Sequence, residues 1–302
     1  MSKQKPLVSI IIVNYDTSKL THECLESLQS TKCSGFEYNI VVVDNGSQTQ
    51  LKIPTKLRSN NLELIRTENN IGFTGGNNLG MSYAIEHFNP DYLLLLNSDT
   101  TVTPTFLDEL YLCLQGDDRG IAVSKILFEK GWEFHQDSYQ NDQRGNVIWF
   151  AGGTIDWPNL SAFHRGVDEV DRGQFEHLSQ TDFATGCCML IKRDVIEEVG
   201  ILDKRYFLYL EDVEYSLRTL KKGFKIIFCP KSVIYHKNAG SSGGSGSIIH
   251  QYYQTRNRFM FFMRYAKFRN KLTTLKLLFK MLVTGTAVQR KASLDYLLGK
   301  FG

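Results

Sequence analysis

The chain has 302 residues, with 35 Lys and Arg against 32 Asp and Glu, and 42% of its residues are hydrophobic. This length allows one large α/β domain, or a domain and a half, with a sizeable core. The 22% of charged and 12% of aromatic residues exclude a wholly disordered chain, and no apolar run approaches the roughly 18 residues that a membrane span needs.

The net charge of +3 hides an uneven distribution. Residues 256–302 contain eleven Lys and Arg and one acid, Asp295, so this segment carries +10, whereas residues 1–255 carry −7. A nucleic-acid-binding protein would spread basic residues over its binding face, so we expect no nucleic-acid partner. The asymmetry favours a locally anionic partner near the C-terminal end.

All six cysteines are expected to be reduced. None lies in a CxxC pair, and Cys187 and Cys188 are adjacent, which constrains them too strongly for an ordinary bridge. The basic N-terminal residues precede an apolar run that is too short for a secretion signal and lacks a small-residue cleavage site. We therefore expect a cytoplasmic protein whose thiols act as small buried hydrophobic groups.

Predicted strands and helices alternate through the first half of the chain. Continuous apolar runs predict buried strands, and amphipathic periodicity or proline predicts helices. The predicted strands are 8–13, 39–43, 62–66 and 92–96, and the predicted helices are 19–30, 77–87 and 104–114. This order predicts right-handed crossovers and a doubly wound, mostly parallel sheet.

Polar residues follow three of these strands: Asn14 and Tyr15 after the first, Asp44 after the second, and Asn97-Ser98-Asp99 after the fourth. Ligands of such sheets bind beyond the carboxyl ends of the strands. The Gly- and Asn-rich loop 69–76 could offer backbone amides to a phosphate, although it lacks the position and spacing of a dinucleotide fingerprint.

The second half is less regular. Residues 128–182 are rich in Trp, His, Gly and Asp, and their tryptophans could contact a carbohydrate or lie in the core. Short helices are predicted at 194–199 and 211–222, and strands at 224–229 and 233–236. The run SSGGSGS at 241–247 is expected to be flexible and to be able to close over a ligand.

Several of these residue types are suited to chemistry, each with a structural alternative. Asp99 at a strand end could bind Mg²⁺ or Mn²⁺, or cap the following turn. The acids around Asp212 repel one another, which could raise one pKa enough for a general base, and they also suit the start of a helix. His236 could be a metal ligand or a structural residue. Arg256 could bind phosphate through its guanidinium group, or it could lie on the solvent-exposed face of a helix.

Six blocks of sequence, in order from about Val8 to about Phe262, carry a resemblance to a known family. They read SIIIVNYD, VVVDNGSQ, NNIGFTGGNNLGM, LLLLNSD, ATGCCMLIKRDVIEEVGILDKRYFLYLEDVEYSLR and YYQTRNRF. Together they resemble the family-two inverting glycosyltransferases of the GT-A fold. The NNIGF and FLYLEDVEYSLR forms are similar to the bacterial rhamnosyltransferase-like branch, which uses dTDP-L-rhamnose and serves surface polysaccharide synthesis.

The resemblance implies roles for individual residues. Asp212 matches the catalytic base, and Asp99 and His236 match ligands of a divalent metal, Mg²⁺ or Mn²⁺. Asn97 replaces the first acid of the usual DxD metal motif, which removes one charge from the metal site. The implied nucleotide-sugar contacts are Asn14, Tyr15, Asp44, Asn77, Asn78, Ser98 and Arg256. The implied acceptor contacts are Asp156, Trp157, Gly186 and Glu211.

The resemblance also implies the domain organisation and the partners. Residues 1–255 would form the GT-A domain, with a Rossmann-like nucleotide-binding half, and residues 256–302 a basic helical region that starts with a donor contact. From its own basic and apolar residues, and not from the resemblance, that region could bind a membrane surface peripherally. Because its charges do not fall cleanly on one helical face, it could instead pack on the domain or on a second protomer. The acceptor would be a saccharide or a lipid-linked saccharide.

Two other functions remain open at this point. A UDP-hexose or UDP-galactofuranose donor would use the same fold, since Asp44 cannot distinguish uracil from thymine. A non-catalytic sugar-nucleotide-binding protein would have lost the base, so the presence of Asp212, Asp99 and His236 together disfavours it.

Overall fold

The computed structural model describes residues 5–238 and 246–302, so most of the predicted flexible run 241–247 lies outside the described residues. The strands are β1 (Leu7–Asn14), β2 (Glu37–Asn45), β3 (Leu62–Thr67), β4 (Tyr92–Asn97), β5 (Thr100–Val102), β6 (Arg119–Phe128), β7 (Ile148–Phe150), β8 (Gly153–Asp156), β9 (Ser161–His164), β10 (Ser179–Gln180), β11 (Cys188–Lys192) and β12 (Lys225–His236). The helices are α1 (Ser18–Leu28), α2 (Gly72–Phe88), α3 (Phe106–Cys113), α4 (Arg193–Val199), α5 (Glu211–Lys221), α6 (Ile248–Tyr265), α7 (Phe268–Thr284) and α8 (Ala287–Leu297).

A central mixed sheet organises the fold, with strand order β10-β12-β6-β11-β4-β1-β2-β3. The β3-β2-β1-β4 half is parallel, as predicted. Strand β11 is antiparallel to both of its neighbours, β4 and β6, and β6 is parallel to β12. The apolar runs of β1, β2 and β4 are buried, which fits strands covered on both faces. The predicted α/β class with a mostly parallel sheet is confirmed.

Helix α2 begins five residues earlier than predicted, so the glycines of the proposed phosphate loop are mostly helical. A Cβ atom on Gly76 would lie 2.8 Å from the Val13 side chain, and one on Gly80 would lie 2.4 Å from Ile11. Both distances are shorter than real Cβ contacts allow. Gly76 and Gly80 are therefore required for close packing of α2 on β1, which explains these two glycines without a phosphate.

Seven of the described strands, β5 to β11, were not predicted, and one predicted pair merges. The two predicted strands at 224–229 and 233–236 form the single strand β12, whose register against β6 shifts between Cys229 and Val233. Because that irregularity does not end the strand, β12 continues to His236 at the site described below.

The expectation of six reduced thiols is wrong for one pair. Cys113, the last residue of α3, forms a disulfide with Cys229 of β12, with the two Cα atoms 6.3 Å apart. Helix α3 packs on β12, and this packing joins cysteines that lie 116 residues apart in the chain. The free Cys24, Cys187 and Cys188 are buried as expected, and burial raises the pKa of the Cys24 thiol to about 12.

The C-terminal region forms three helices, α6, α7 and α8, that pack against one another. Helix α6 crosses the expected domain boundary at residues 255–256 without a break, and its Phe259, Phe261 and Phe262 are buried. Helix α8 is tied back to α6 by a hydrogen bond of 2.8 Å from the Tyr252 hydroxyl to Asp295. Among the described residues, no helix is long and apolar enough to cross a bilayer.

Candidate active site

A cavity of about 330 Å³ opens where β4 and β12 end and where α5 begins. Three acids line it, namely buried Asp99 and Glu211 and half-buried Asp212, together with His236 and Gly186. Its other lining residues are Phe73, Asn97, Phe134, Trp149, Ala162, His164, Val167, Phe183, Thr185, Cys187, Leu208, Tyr209, Leu210, Val213, Asn238, His250 and Gln254. The cavity therefore brings together five of the residues expected to bind metal, catalyse or contact the acceptor.

Pairing of the short strand β5 with the end of β12 places Asp99 beside His236. Thr100 is opposite His236 in this antiparallel pair, and the Lys237 amide donates to the Asp99 carbonyl at 2.9 Å. His236 Nε2 lies 3.1 Å from Asp99 Oδ1, and both residues are buried. An imidazole nitrogen and a carboxylate oxygen from residues 137 apart in sequence thus lie side by side at the cavity.

The first turn of α5 positions Asp212 on the cavity wall. Its carboxylate accepts hydrogen bonds from the main-chain amides of Gly186, at 3.0 Å, and of Val213, at 2.8 Å. Burial raises the pKa of Asp212 above the ordinary value, and these amides, which favour the ionised form, offset part of that effect. The result is a fixed carboxylate with more than usual basicity.

Glu211 lies beside Asp212 and is only 4% exposed. Burial, and then repulsion by Asp212, raise the pKa of Glu211 well above its ordinary value. Its Oε2 atom has no hydrogen-bond partner in the described structure. The site thus holds one carboxyl group suited to remain protonated next to one suited to act as a base.

A second polar cluster lies next to the cavity, at the ends of β1 and β2. The Asn14 amide donates to Asp44 at 3.1 Å, and the Asn14 carbonyl oxygen accepts from Thr17, whose hydroxyl is 3.4 Å from that of Ser98. Arg66 forms an ion pair with Asp44. Burial opposes ionisation of Asp44, but hydrogen bonds that include those from Ser47, the Leu51 amide and Arg66 hold its pKa below the ordinary value.

Asn14, Asp44 and Ser98 are therefore joined in one network, as their strand-end positions suggested, and half-buried Tyr15 follows Asn14 directly. None of these four residues lines the cavity itself. Sequence reasoning missed Arg66, which lies opposite Asp44 in the parallel β2–β3 pair. Its position at the end of the third strand was the signal that could have found it.

Two asparagines expected to contact the donor make internal contacts instead. Asn77 donates to the Phe73 carbonyl one turn earlier in α2, at 2.9 Å. Asn78 donates to the Leu202 carbonyl at 2.9 Å and accepts from the Leu202 amide at 3.0 Å. These bonds engage both ends of the Asn78 side chain and the nitrogen of Asn77, and both residues lie outside the cavity lining.

Two residues expected to contact the acceptor also lie elsewhere. Trp157 stacks on Phe261 of α6 with ring centroids 5.8 Å apart. The Asp156 carboxylate accepts hydrogen bonds from the main-chain and side-chain nitrogens of Asn159. Both residues thus stabilise local structure outside the cavity, whereas Trp149 is a tryptophan that lines it.

Arg256 does not face the cavity, contrary to the expectation of a diphosphate contact. It is 2% exposed and donates to the carbonyl of Arg205 at 3.0 Å and to the side chain of Asn257 at 2.9 Å. Its guanidinium also lies over the Tyr253 ring, 4.9 Å from the centroid. These contacts describe a structural arginine that ties α6 to the loop before α5.

Several cavity residues come from the irregular segment that carried no clear sequence signal. The Trp149 ring lies 4.4 Å from that of His164 and 4.5 Å from that of His236, centroid to centroid. Burial lowers the pKa of His164 to about 4, so its imidazole is neutral near pH 7. The histidine–tryptophan–histidine stack forms an aromatic wall beside Asp99.

The residues present fit a divalent cation bound together with a diphosphate. No Lys or Arg is among the described residues that line the cavity, so a cation is needed to balance a bound diphosphate. Asp99 and His236 converge, and the buried Asn97 Oδ1 nearby in the lining has no hydrogen-bond partner in the described structure. The described residues contain no cluster of three or more His, Cys, Asp or Glu suited to a metal, so ligand oxygens would complete the coordination.

Comparison with known proteins agrees with this architecture. A hexosyltransferase of low-salt glycan biosynthesis from Haloferax volcanii is 27% identical over 253 residues, which cover 84% of this chain and 74% of the relative. An N-acetylglucosaminyl-diphospho-decaprenol L-rhamnosyltransferase from Mycobacterium tuberculosis is 24% identical over 249 residues, covering 78% of each chain.

A solved structure shares the fold. A mannosyltransferase from Pyrobaculum calidifontis, in complex with GDP-Man and Mn²⁺, superposes with a TM-score of 0.56 at 13% identity, covering 99% of this chain and 75% of the other. This likeness supports the GT-A fold expected from the sequence. The model of the family described as "Glycosyltransferase like family 2" matches residues 5–261, and the chain therefore belongs to that family of glycosyltransferases.

Proposed function

We propose that this glycosyltransferase moves a sugar onto a saccharide acceptor, with inversion at the anomeric carbon. The proposed sugar is L-rhamnose, and the proposed donor is dTDP-L-rhamnose. The observation that carries the proposal is the placement of Asp212: a half-buried carboxylate, fixed by two main-chain amides, on the wall of the cavity that also contains Asp99 and His236. The reaction belongs to surface polysaccharide synthesis in this proposal.

Asp212 acts as the general base. It takes the proton from an acceptor hydroxyl, whose oxygen forms the new bond to the anomeric carbon as the bond to the diphosphate oxygen breaks. The raised pKa of Asp212 increases its affinity for this proton. In this proposal the acceptor is hydrogen-bonded by Glu211, which lines the cavity and whose Oε2 has no partner in the described structure. Gly186, also in the lining, lies next to the acceptor.

The departing nucleoside diphosphate needs charge balance that the described cavity residues do not supply themselves. A divalent cation held by Asp99 and His236 would neutralise the diphosphate as it leaves. Asp44 and Asn14, joined by a hydrogen bond at 3.1 Å, bind the nucleotide base and ribose in this proposal, with Tyr15 and Ser98 beside them. For Asp44 to accept the imide proton of the base, Arg66 must share or release this carboxylate.

The rhamnosyl donor is proposed from the sequence motifs and from the similarity to the rhamnosyltransferase. A hexose donor is the second candidate, because the Haloferax relative is named a hexosyltransferase. Asp44 contacts an edge that thymine and uracil share, so this residue does not decide between the two donors.

A ligand panel with product analysis tests the proposal. Thermal shifts are measured with dTDP-L-rhamnose, UDP-glucose, UDP-galactofuranose and GDP-mannose, each with and without Mn²⁺, and the anomeric configuration of the product is determined by NMR. We expect a Mn²⁺-dependent shift with dTDP-rhamnose and an inverted product. A shift with UDP-sugars alone would transfer the assignment to the second candidate, and no shift with any donor would contradict the enzyme assignment.

A further inference from the structure

Helix α7 presents a stripe of apolar side chains to solvent. Phe268, Leu272, Phe279 and Val283 are exposed by 74, 45, 63 and 75% respectively. At about 100° per residue, these four positions fall within an arc of roughly 60° on the helix. We call them the α7 stripe. Side chains of this size exposed together on one face commonly mark an interaction surface.

Cations lie along one edge of the α7 stripe. Arg269, Lys276 and Lys280 are exposed, and they occupy the next roughly 60° of the helix circumference. Half-buried Lys271 lies at the other edge, while the far side of the helix packs inward through Thr274 and Leu278. The exposed charges of α7, unlike the charges of the C-terminal region taken together, share one helical face.

Few acids oppose these cations. The sequence contains no Asp or Glu from Tyr215 to Leu294. The next acid, Asp295, is buried and accepts hydrogen bonds from Tyr252 and Lys291. The basic edge of the α7 stripe is therefore not neutralised by neighbours along the chain.

We propose that the α7 stripe and its basic edge dock on a bilayer surface that contains anionic lipid. Apolar side chains would enter the boundary between headgroups and acyl chains, and Arg269, Lys276 and Lys280 would contact lipid phosphates. Isologous pairing with a second copy would bring the cations of both copies into one interface, which disfavours dimerisation. Nucleic acid would satisfy the cations and leave the apolar stripe in water.

This docking would set the position of the active-site cavity relative to the membrane. Helix α6 contributes His250 and Gln254 to the cavity lining near its start, and α7 begins three residues after α6 ends. A lipid surface bound at α7 would thus be linked through one helix to the cavity. The docking itself requires no donor or acceptor, so it is measured independently of the proposed transfer.

Vesicle sedimentation with the full chain tests the proposal. Phosphatidylcholine vesicles with and without phosphatidylglycerol are compared at low and high salt. The double variant Phe279→Ser/Val283→Ser removes exposed stripe residues, and Lys276→Gln/Lys280→Gln removes part of the basic edge. Leu112→Ser is the matched control, since Leu112 is 60% exposed on α3. Melting temperatures confirm that all variants fold.

We expect binding only to vesicles that contain phosphatidylglycerol, weakened by salt. Each double variant should bind about tenfold or more weakly, whereas Leu112→Ser should bind like the unmodified protein. Three results would overturn the proposal: no binding of the unmodified protein, equal binding by folded stripe variants, or a dimer in light scattering that Phe279→Ser/Val283→Ser abolishes.

Discussion

The side-chain amide of Asn257 donates to the main-chain carbonyl of Tyr209 at 2.8 Å, and to that of Leu208 at the same distance. Tyr209 and Leu210 both have positive φ angles, of 69° and 67°, which cost non-glycine residues about 1–2 kcal/mol each. This strained turn leads directly into the first turn of α5, where Asp212 lies. Helix α6 therefore holds the backbone that aims the proposed base.

Replacing Asn257 by Ala should release that turn. We expect transfer to fall by about 10- to 100-fold, mainly in kcat, because small displacements of a catalytic group are costly, and stability to fall by about 1–3 kcal/mol. Steady-state kinetics and urea unfolding measure the two effects. Asn270→Ala, a change of the same kind on α7, is the control. An unchanged kcat in folded Asn257→Ala would remove Asn257 from this positioning role.

Arg256 provides a direct contrast between a structural and a donor-binding role. Because its buried guanidinium hydrogen-bonds the Arg205 carbonyl and the Asn257 side chain, Arg256→Ala should lower the free energy of unfolding by about 2–4 kcal/mol. Chemical denaturation measures this loss, and nucleotide titration of the folded variant should give a donor Kd close to that of the unmodified protein. If the variant has normal stability but binds the donor much more weakly, Arg256 would again be assigned as a contact of the diphosphate.

The Asp99–His236 pair should determine the affinity for a divalent cation. Asp99→Asn removes the negative charge of the carboxylate and His236→Ala removes the imidazole donor, so we expect Mn²⁺ affinity in the presence of nucleoside diphosphate to fall by about tenfold or more. Electron paramagnetic resonance of free Mn²⁺ reports this affinity without turnover. His87→Ala, at an exposed histidine on α2, is the control. Equal Mn²⁺ affinity in all three variants would contradict the assignment.

Glu211 should reduce the stability of the protein at high pH. Its pKa in the folded protein is raised by burial and by Asp212, so the folded state binds this proton more tightly than the unfolded state. The resulting stabilisation is present at low pH and is lost as pH rises through the raised pKa. Gln cannot ionise. The melting temperature of Glu211→Gln should therefore be a few degrees higher than that of the unmodified protein at high pH and equal to it at low pH. A difference that is constant with pH would contradict this explanation.

The sequence predicts the part of the site that depends on strand ends. Asp99, His236 and Asp212 each lie at the start or end of an element, and apolar runs identify the strands before the first two. Parallel strands end at a common edge, so convergence of the polar residues after β1, β2 and β4 follows from the predicted topology. The approach of His236 to Asp99 depends on the unpredicted pairing of β5 with β12, and the role of Asp212 was implied only by the resemblance. The buried runs of β1, β2 and β4 were predictable for the same reason, since few structures other than a doubly covered sheet accommodate them.

The rest depends on contacts that the sequence does not display. The partners of Arg256 and Asn78 are mainly main-chain atoms distant in sequence, and every residue offers such atoms. Trp149 and His164 come from short strands with too few residues for periodicity to be visible. The disulfide between Cys113 and Cys229 needs the packing of α3 on β12, which local pattern alone does not predict.

The measurement that tests the central claim most directly is single-turnover transfer by Asp212→Asn. Asn keeps the size of the side chain and an oxygen that can accept from the Gly186 or Val213 amide, but it cannot take a proton at neutral pH. We expect transfer to fall by about 10²–10⁴-fold, with donor and Mn²⁺ binding unchanged in calorimetry. Transfer by the folded variant at a rate close to that of the unmodified protein would contradict the assignment of Asp212 as the base.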